Sequence, residues 1–343
     1  MESFCLGNRK IGPGYEPLVI PEIGINHEGD FKKAIRMIEA AKDAGAEIVK
    51  FQYHIADKEM VPNNIIPKNA DESIWDIIER CQLTDEEERK LKQYCEELGL
   101  MYLSTPFSRE AADRLEDMGV IGFKIGSGEC NNIPLIEHIS KKKKPIILST
   151  GMNGIDSVKN SVEIIKKHQC PYMLMQCTSM YPTPYEKVRL GAMKELAEVC
   201  GAAVGLSDHS VGLYTVFGAV ALGASAIEKH FTFDKNWSGP DISISIDPAE
   251  LADLIKGAKA IFKARDGIKT VLSEEKPVID FAYATLCAIR DIKKGEVLTE
   301  KNVWVKRPGT GEIPAKDLNL FLGKKAKEDI SKNHQLTRSL ICE

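Results

Sequence analysis

Three residue pairs stand two positions apart in otherwise apolar, β-branched surroundings: Lys50 with Gln52, Ser207 with His209, and Glu228 with His230. On a β-strand that spacing puts both side chains of a pair on one face. Lysines, carboxylates and histidines are costly inside strands unless they are paired or put to use. The ends of similar segments carry Glu22 and Asn26, Thr105, Lys124 with Ser127 and Glu129, Ser149, and Thr178 with Tyr181. Two lysines and several hydroxyls suit a phosphate and a carboxylate, while two histidines on neighbouring strands suit a divalent metal that keeps positions open for substrate. Each residue alone fits a structural place in a strand as well as a chemical one. Their joint placement favours chemistry.

The elements that must position them read as eight strands: LVIPEIGIN (18 to 26), EIVKFQYH (47 to 54), LMYLSTPF (100 to 107), GFKIGSG (122 to 128), PIILSTG (145 to 151), YMLMQCTS (172 to 179), AAVGLSDHS (202 to 210) and AIEKHFTF (226 to 233). Amphipathic stretches alternate with them, among them TDEEERKLKQYCEELG, which opens on Thr84 as N-cap and closes at Gly99. Eight such alternations predict a closed α/β barrel, whose active site lies at the C-terminal ends of the strands, where these polar residues fall. An open doubly wound sheet uses fewer strands and gathers its glycines in one phosphate loop, and Gly126-Ser127-Gly128 is too short a signal for that. The stretch from 55 to 80, rich in Pro and Asn and including Asn69, reads as a long excursion over the same side. Asn26-His27-Glu28-Gly29 reads as the turn and N-cap into the first helix, and His27, His54 and His138 as loop or core histidines.

A chain of 343 residues accommodates a barrel of about 250 residues and a second small domain. The expected division is a barrel over 1–265, a polar linker over 266–282, and a compositionally distinct domain over 283–343 with short strands and a turn at Lys294-Gly295. With 46 Lys+Arg against 50 Asp+Glu, net charge gives no reason to expect nucleic acid or an anionic membrane as partner. The run Lys141 to Lys144 reads as a solvated helix end rather than a phosphate patch. No signal peptide or membrane span is visible, so a cytoplasmic location is expected. Nine scattered cysteines without C-x-x-C indicate neither a disulfide framework nor a thiolate zinc site.

PEIGINHEGD, the KFQ at 50 to 52, LSTPFS, FKIGSGECNN, ILSTGMN, CTSMYPTP, GLSDHS, EKHFT, SGPD and VKRPG, in this order, resemble the bacterial sialic acid synthases (the N-acetylneuraminate synthase family) over nearly the whole chain. The resemblance implies a (β/α)8 TIM barrel followed by a small antifreeze-like (SAF) domain, in a domain-swapped homodimer whose small domain lids the partner's site. It implies that phosphoenolpyruvate condenses with an N-acetylated hexosamine and water, releasing phosphate. By matching position it assigns His209 and His230 to a divalent metal, manganese foremost, with magnesium or cobalt as alternatives. Lys50, Lys124, Ser127, Ser149 and Ser207 would hold phosphoenolpyruvate, and Gln52, Asn69, Tyr181 and Asp241 the sugar. Thr105 would line the site, Arg307 would reach over from the partner's tail, and Glu22, Glu129 and Glu228 would be its acidic members. Glu129 is the first candidate for handling the attacking water, with Glu22 the alternative.

Close N-acetylneuraminate synthases carry Asn where this chain has Ser179, and KHQTH where it has KFQYH. GECNN and SGPD nevertheless favour the N-acetylneuraminate or legionaminate side over pseudaminate, so N-acetylmannosamine is the expected sugar, with the diacetylated bacillosamine-derived hexose of legionaminate synthesis as the alternative. Two other classes fit these residues less well. A Schiff-base pyruvate aldolase using Lys124 or Lys50 would need no paired histidines, and a binding protein working through its tail would leave the polar strand ends unused.

Overall fold

A computed structural model describes residues 3–342, which form two compact units meeting in sequence at Asp266 and Gly267. The first is built on eight parallel strands: β1 (Leu18–Gly24), β2 (Ile48–Tyr53), β3 (Met101–Pro106), β4 (Phe123–Ile125), β5 (Ile146–Ser149), β6 (Tyr172–Cys177), β7 (Ala203–Asp208) and β8 (Ala226–His230). Their order is β3-β2-β1-β8-β7-β6-β5-β4, so the sheet curls into a TIM-like barrel bonded between all neighbours except β3 and β4. The expected closed ring is thus a nearly closed one. Strand β4 is only three residues long, because the chain turns into a 3-10 helix (Ser127–Glu129) where the sequence suggested continuing strand.

Alternation along the strands sorts the interior into layers. Leu18 and Ile20, Ile48, Leu103, Ile147, Met173 and Met175, Ala203 and Ala226 form an apolar plug. An N-terminal hairpin (Phe4–Leu6 paired with Arg9–Ile11), absent from the sequence reading, closes that plug with Leu6 and Ile11. Farther along the same faces come Glu22, Lys50, Lys124, Ser149, Ser207 and Glu228, all buried. The opposite faces meet the helices: Val49, Phe51, Leu148 and Ile227 pack with Met37, Ile38, Leu91, Ile136 and Leu254 in the main core. Burying such a side chain contributes roughly 1.5–3 kcal/mol, and this layer holds the polar strand ends in place.

Local signals behave largely as read. Thr84 closes a capping box with Glu87, and Gly99 adopts φ +72° after its helix. The first helix (Phe31–Asp43), however, is capped by Asp30 and not by the preceding Asn-His-Glu-Gly turn. Asn26 instead donates to Phe231 O and Ser245 Oγ, both at 2.9 Å, bracing the segment after β8. The lysine run is solvated only at Lys141 and Lys143: Lys142 is instead packed into pairs with Asp113 and Glu116, and Lys144 donates to Val120 O.

In the second unit, β9 (Thr285–Ala288) pairs antiparallel with β10 (Val303–Lys306) over a small core that includes Leu286, Ile292, Leu298 and Ile313. The segment read as linker contains a helix (Lys276–Ala282) with proline in its first turn, where a missing N–H costs no hydrogen bond. Its polar composition concealed it. Among the described residues, no helix is long and apolar enough to cross a membrane.

One buried carboxyl lies outside the strand ends. Glu88, on the helix Asp85–Glu97, accepts from Tyr102 Oη at 2.7 Å, and burial pushes it up to about 8. The folded state thus keeps a proton that the unfolded chain releases near its ordinary 4.5. The stability this confers is complete below that value and is lost as pH rises through about 8. Glu88→Gln, which keeps the acceptor for Tyr102, should remove this loss. Denaturant titrations of both proteins at pH 5 and pH 9 should show the variant gaining on the wild type by on the order of a few kcal/mol at the higher pH.

Candidate active site

At the C-terminal ends of the strands lie two adjoining cavities. The first, of about 330 Å³, is lined by Glu22, Lys50, Gln52, Thr105, Lys124, Ser127, Ser149, Tyr181, Ser207, His209, Glu228 and His230, all of them singled out by sequence. The second, of about 470 Å³, contains Asn69, Glu129 and Asp241 and shares Gln52, Tyr181 and His230 with the first. Each pair two apart does share a face. Arg307 is exposed and directly follows β10 in the second unit. Thr178 turns aside, its hydroxyl donating to Lys187 O at 2.7 Å.

The first cavity holds four nearly fully buried charged side chains. Lys50 Nζ lies 2.7 Å from Glu22 Oε2 and donates to Thr105 Oγ1 at 3.0 Å. Lys124 Nζ donates to Ser149 Oγ at 2.7 Å and lies 3.5 Å from Glu228 Oε1, which also accepts from Ser207 Oγ at 2.9 Å. Burial pushes Glu22 up to about 7 against the pull of Lys50, with repulsion from Glu228 adding to it. For Glu228, burial also works upward, but Lys124 and Lys50 outweigh it and hold the carboxyl below its ordinary range. Burial lowers Lys124. The two carboxylates therefore differ: Glu228 stays ionised, while Glu22 is poised to take or give a proton near neutrality.

Backbone geometry supports this layout. The β1–β2 register shifts between Glu22 and Gly24, and Gly24 adopts φ +53°. A Cβ there would stand 3.1 Å from Glu22 Oε1 and 3.2 Å from Gln52 Nε2, so glycine leaves room for the Gln52-to-Glu22 hydrogen bond of 2.8 Å. Gly151 donates its N–H to Ser127 Oγ at 3.0 Å, and a Cβ on it would come 2.8 Å from that oxygen and 2.5 Å from Ser179 Oγ. That bare backbone keeps a small polar concavity open.

The ring centroids of His209 and His230 are 5.4 Å apart. Burial, then the positive charges of His209, Lys50, Lys229 and Lys124, depress His230 well below its ordinary value, and its Nδ1 is buried without a hydrogen-bond partner. Burial opposes protonation of His209 too, but Cys177 and the Thr178 carbonyl raise it. Among the described residues no group of three or more His, Cys, Asp and Glu converges as a complete metal site. Two imidazoles, one with an unmatched nitrogen, nevertheless fit a divalent ion whose other positions go to substrate and water.

Sequence reasoning passed over several residues here. Cys177 stands two past Met175 on β6 and lines the first cavity, a place that strand parity alone points to. His54, read as structural, and Glu59 line the second cavity, as do Ile25, Met60, Ile74, Ile77 and Ile78. That wall comes from loop and helix packing, for which the sequence offers no local signal.

A family model described as the NeuB family matches residues 37–270, and one described as the SAF domain matches residues 283–341. The chain is 39% identical over 322 residues to the N,N'-diacetyllegionaminic acid synthase of Campylobacter jejuni, covering 91% of this chain and 96% of that one. It is 30% identical over 346 residues to the human N-acetylneuraminate-9-phosphate synthase, covering 99% and 96%. Among solved structures, an N-acetylneuraminic acid (sialic acid) synthetase from Leptospira borgpetersenii in complex with citrate superposes with a TM-score of 0.75 at 33% identity, over 81% of this chain and 95% of that one.

The lysine cavity should bind a dianion, and Glu22 should make that binding pH-dependent. A dianion favours the protonated carboxyl, so affinity falls as pH rises through about 7. Sulfate, which does not itself titrate here, should bind roughly tenfold more weakly at pH 8 than at pH 6 by calorimetry. Glu22→Gln should remove most of that dependence. An unchanged profile in the variant contradicts the assignment.

Proposed function

Because the chain belongs to the NeuB family, we propose that its first cavity holds phosphoenolpyruvate and its second the open-chain form of an unphosphorylated, N-acetylated hexosamine. The family is one of phosphoenolpyruvate-dependent nonulosonate synthases. The observation that carries the division is charge. Lys50 and Lys124 face the first cavity, each matched by a glutamate, whereas the second has Glu59, Glu129 and Asp241 and, among the described residues, no lysine or arginine. A phosphate or carboxylate is favoured in the one and repelled by the other.

In this reading the ammonium groups of Lys50 and Lys124 hold the phosphate and carboxylate, with the Ser127, Ser149 and Ser207 hydroxyls and Thr105 fixing their orientation. Gln52, Asn69, Tyr181 and Asp241 meet the sugar. His209 and His230 would hold a divalent ion, manganese first, which when bound supplies Lewis acidity toward the sugar's aldehyde oxygen. The methylene carbon of phosphoenolpyruvate forms the new C–C bond to the aldehyde carbon. Positive charge then develops at the enol-ether carbon, and Glu228, ionised 3.5 Å from Lys124, lies on a wall that stabilises it. Water adds there to give a tetrahedral carbon, whose C–O bond to phosphate then breaks as the new hydroxyl becomes the ketone oxygen and passes its proton to the departing phosphate. Glu22 shares that cavity with both lysines; protonated while the dianion is bound, it gives that proton to the former aldehyde oxygen as the C–C bond forms and, then ionised, takes the water's proton. Glu129, hydrogen-bonded to Asn132 at 2.8 Å on the sugar side, suits a sugar hydroxyl.

Of the two sugars the sequence left open, the wall of Ile25, Met60, Ile74, Ile77 and Ile78 favours the diacetylated one, because a second acetyl methyl would be buried there. The 39% identity to a diacetyllegionaminic acid synthase points the same way. N-acetylmannosamine is the second reading, supported by the similarity to the Leptospira synthetase.

Steady-state assays should give a kcat/KM at least about tenfold higher for the diacetylated hexose than for N-acetylmannosamine, and no turnover of N-acetylmannosamine 6-phosphate, since one buried methyl-sized contact is worth roughly 1–3 kcal/mol. Preference for the phosphorylated sugar would refute the charge argument. His230→Ala should lose bound Mn2+ by electron paramagnetic resonance and lose turnover while keeping its circular dichroism; retained stoichiometric metal counts against the ligand assignment. For the dimer, Arg307 is assigned to the partner's site. Mixing His209→Ala with Arg307→Ala chains under subunit exchange should restore activity, whereas demonstrated heterodimers without activity reject the swapped lid.

A further inference from the structure

Gln52 belongs to both cavities, and an amide can present either its N–H or its C=O to a ligand. Its Nε2 donates to Glu22 Oε1 at 2.8 Å, and its Oε1 lies 3.1 Å from His54 Nε2. Beyond it, His54 Nδ1 lies 2.7 Å from Glu59 Oε1, and the other Glu59 oxygen accepts from Ile55 N at 3.2 Å. Both side chains of this dyad are almost wholly buried, 4% and 3% exposed, with the imidazole stacked on Phe107 at 4.5 Å between centroids. The ring cannot swing away to find other partners.

Hydrogen-bond complementarity then fixes the proton. Gln52 Oε1 only accepts, so His54 Nε2 must carry hydrogen. That leaves Nδ1 either donating to an ionised Glu59 or accepting from a protonated one, and in both cases one proton sits between the two. Without Glu59, the neutral imidazole is free to take the Nδ1–H tautomer, which sets the Nε2 lone pair against the Gln52 carbonyl. Turning the amide over relieves that clash but puts a carbonyl against Glu22.

We propose that His54 and Glu59 are positioning residues that lock the Gln52 amide so that its second N–H is offered to an acceptor oxygen of the sugar, a hydroxyl or an acetamido carbonyl. This deepens the functional reading above and rests on it for the identity of the ligand. The dyad also borders the sugar cavity, and its action through Gln52 is what the His54 tautomer and rescue by Glu59→Gln read. It therefore acts first on sugar recognition and reaches the phosphoenolpyruvate cavity only through the Gln52 bond to Glu22.

Nitrogen-15 histidine labelling of the full chain, with the His54 signals assigned by their loss in His54→Gln, reads the tautomer directly. The expected result is Nε2–H in the wild type and in Glu59→Gln, whose carboxamide donates to Nδ1, and a shift toward Nδ1–H in Glu59→Leu. In kinetics, Glu59→Leu should raise the sugar KM about tenfold with the phosphoenolpyruvate KM within about twofold, and Glu59→Gln should recover most of the sugar affinity. A wild-type His54 in the Nδ1–H form overturns the proposal even if the leucine variant does not fold. So does an equal rise in both KM values. If the wild type condenses neither sugar, the functional reading fails while the tautomer measurement still decides whether the lock exists.

Discussion

Four charged side chains buried inside one barrel, Lys50, Lys124, Glu22 and Glu228, set the terms for the rest of this molecule. An uncompensated buried charge costs several kcal/mol, so none of the four can stand unless the others are held within reach. The Lys50 to Glu22 contact of 2.7 Å and the Lys124 to Glu228 contact of 3.5 Å are that compensation. They come from different strands, so the strand register itself has to be right. The apolar plug beneath, closed by the N-terminal hairpin, keeps water from below, and the Gly24 bulge makes room for the polar layer above.

The backs of the same strands add rigidity. Between Ser207 and His209 stands Asp208, and between Glu228 and His230 stands Lys229; both point the other way. Lys229 Nζ lies 2.6 Å from Asp208 Oδ2 with both side chains essentially unexposed, and Asp208 also accepts from Ser210 Oγ at 2.9 Å and Thr215 Oγ1 at 3.0 Å. This pair ties β7 to β8 at the level of the two histidines. Alternation thus gives one strand a cavity face and a clamping face in the same few residues.

The second cavity follows different rules. Its wall is mostly loop and helix: the excursion after β2 supplies Glu59, Met60, Pro67 and Asn69, the helix Ile74–Cys81 supplies three isoleucines, and the turn after β8 supplies Pro240 and Asp241. Asn69 Nδ2 donates to Pro240 O at 3.0 Å, joining two of those segments. On the proposed function, the anion would sit among strand ends and the sugar against loops, the part of a fold that varies most between relatives.

The sequence by itself determined the barrel's eight strands, the inward parity of Lys50/Gln52, Ser207/His209 and Glu228/His230, and the polar character of the strand ends, because a period of two and the cost of burying charge are local properties legible along a chain. It also marked Thr84 as a cap and kept the lysine run out of the site. Only the tertiary structure decided the rest. Which lysine faces which glutamate depends on which strands become neighbours, and Glu22 acquires its raised pKa from burial and from Glu228, more than two hundred positions away. Asn26 meets the segment after β8 across more than two hundred positions, and the pairing of His54 with Glu59 and the acidic second cavity arise where the loop after β2 folds back over the strand ends. Loop packing of that kind has no periodicity for a sequence to display.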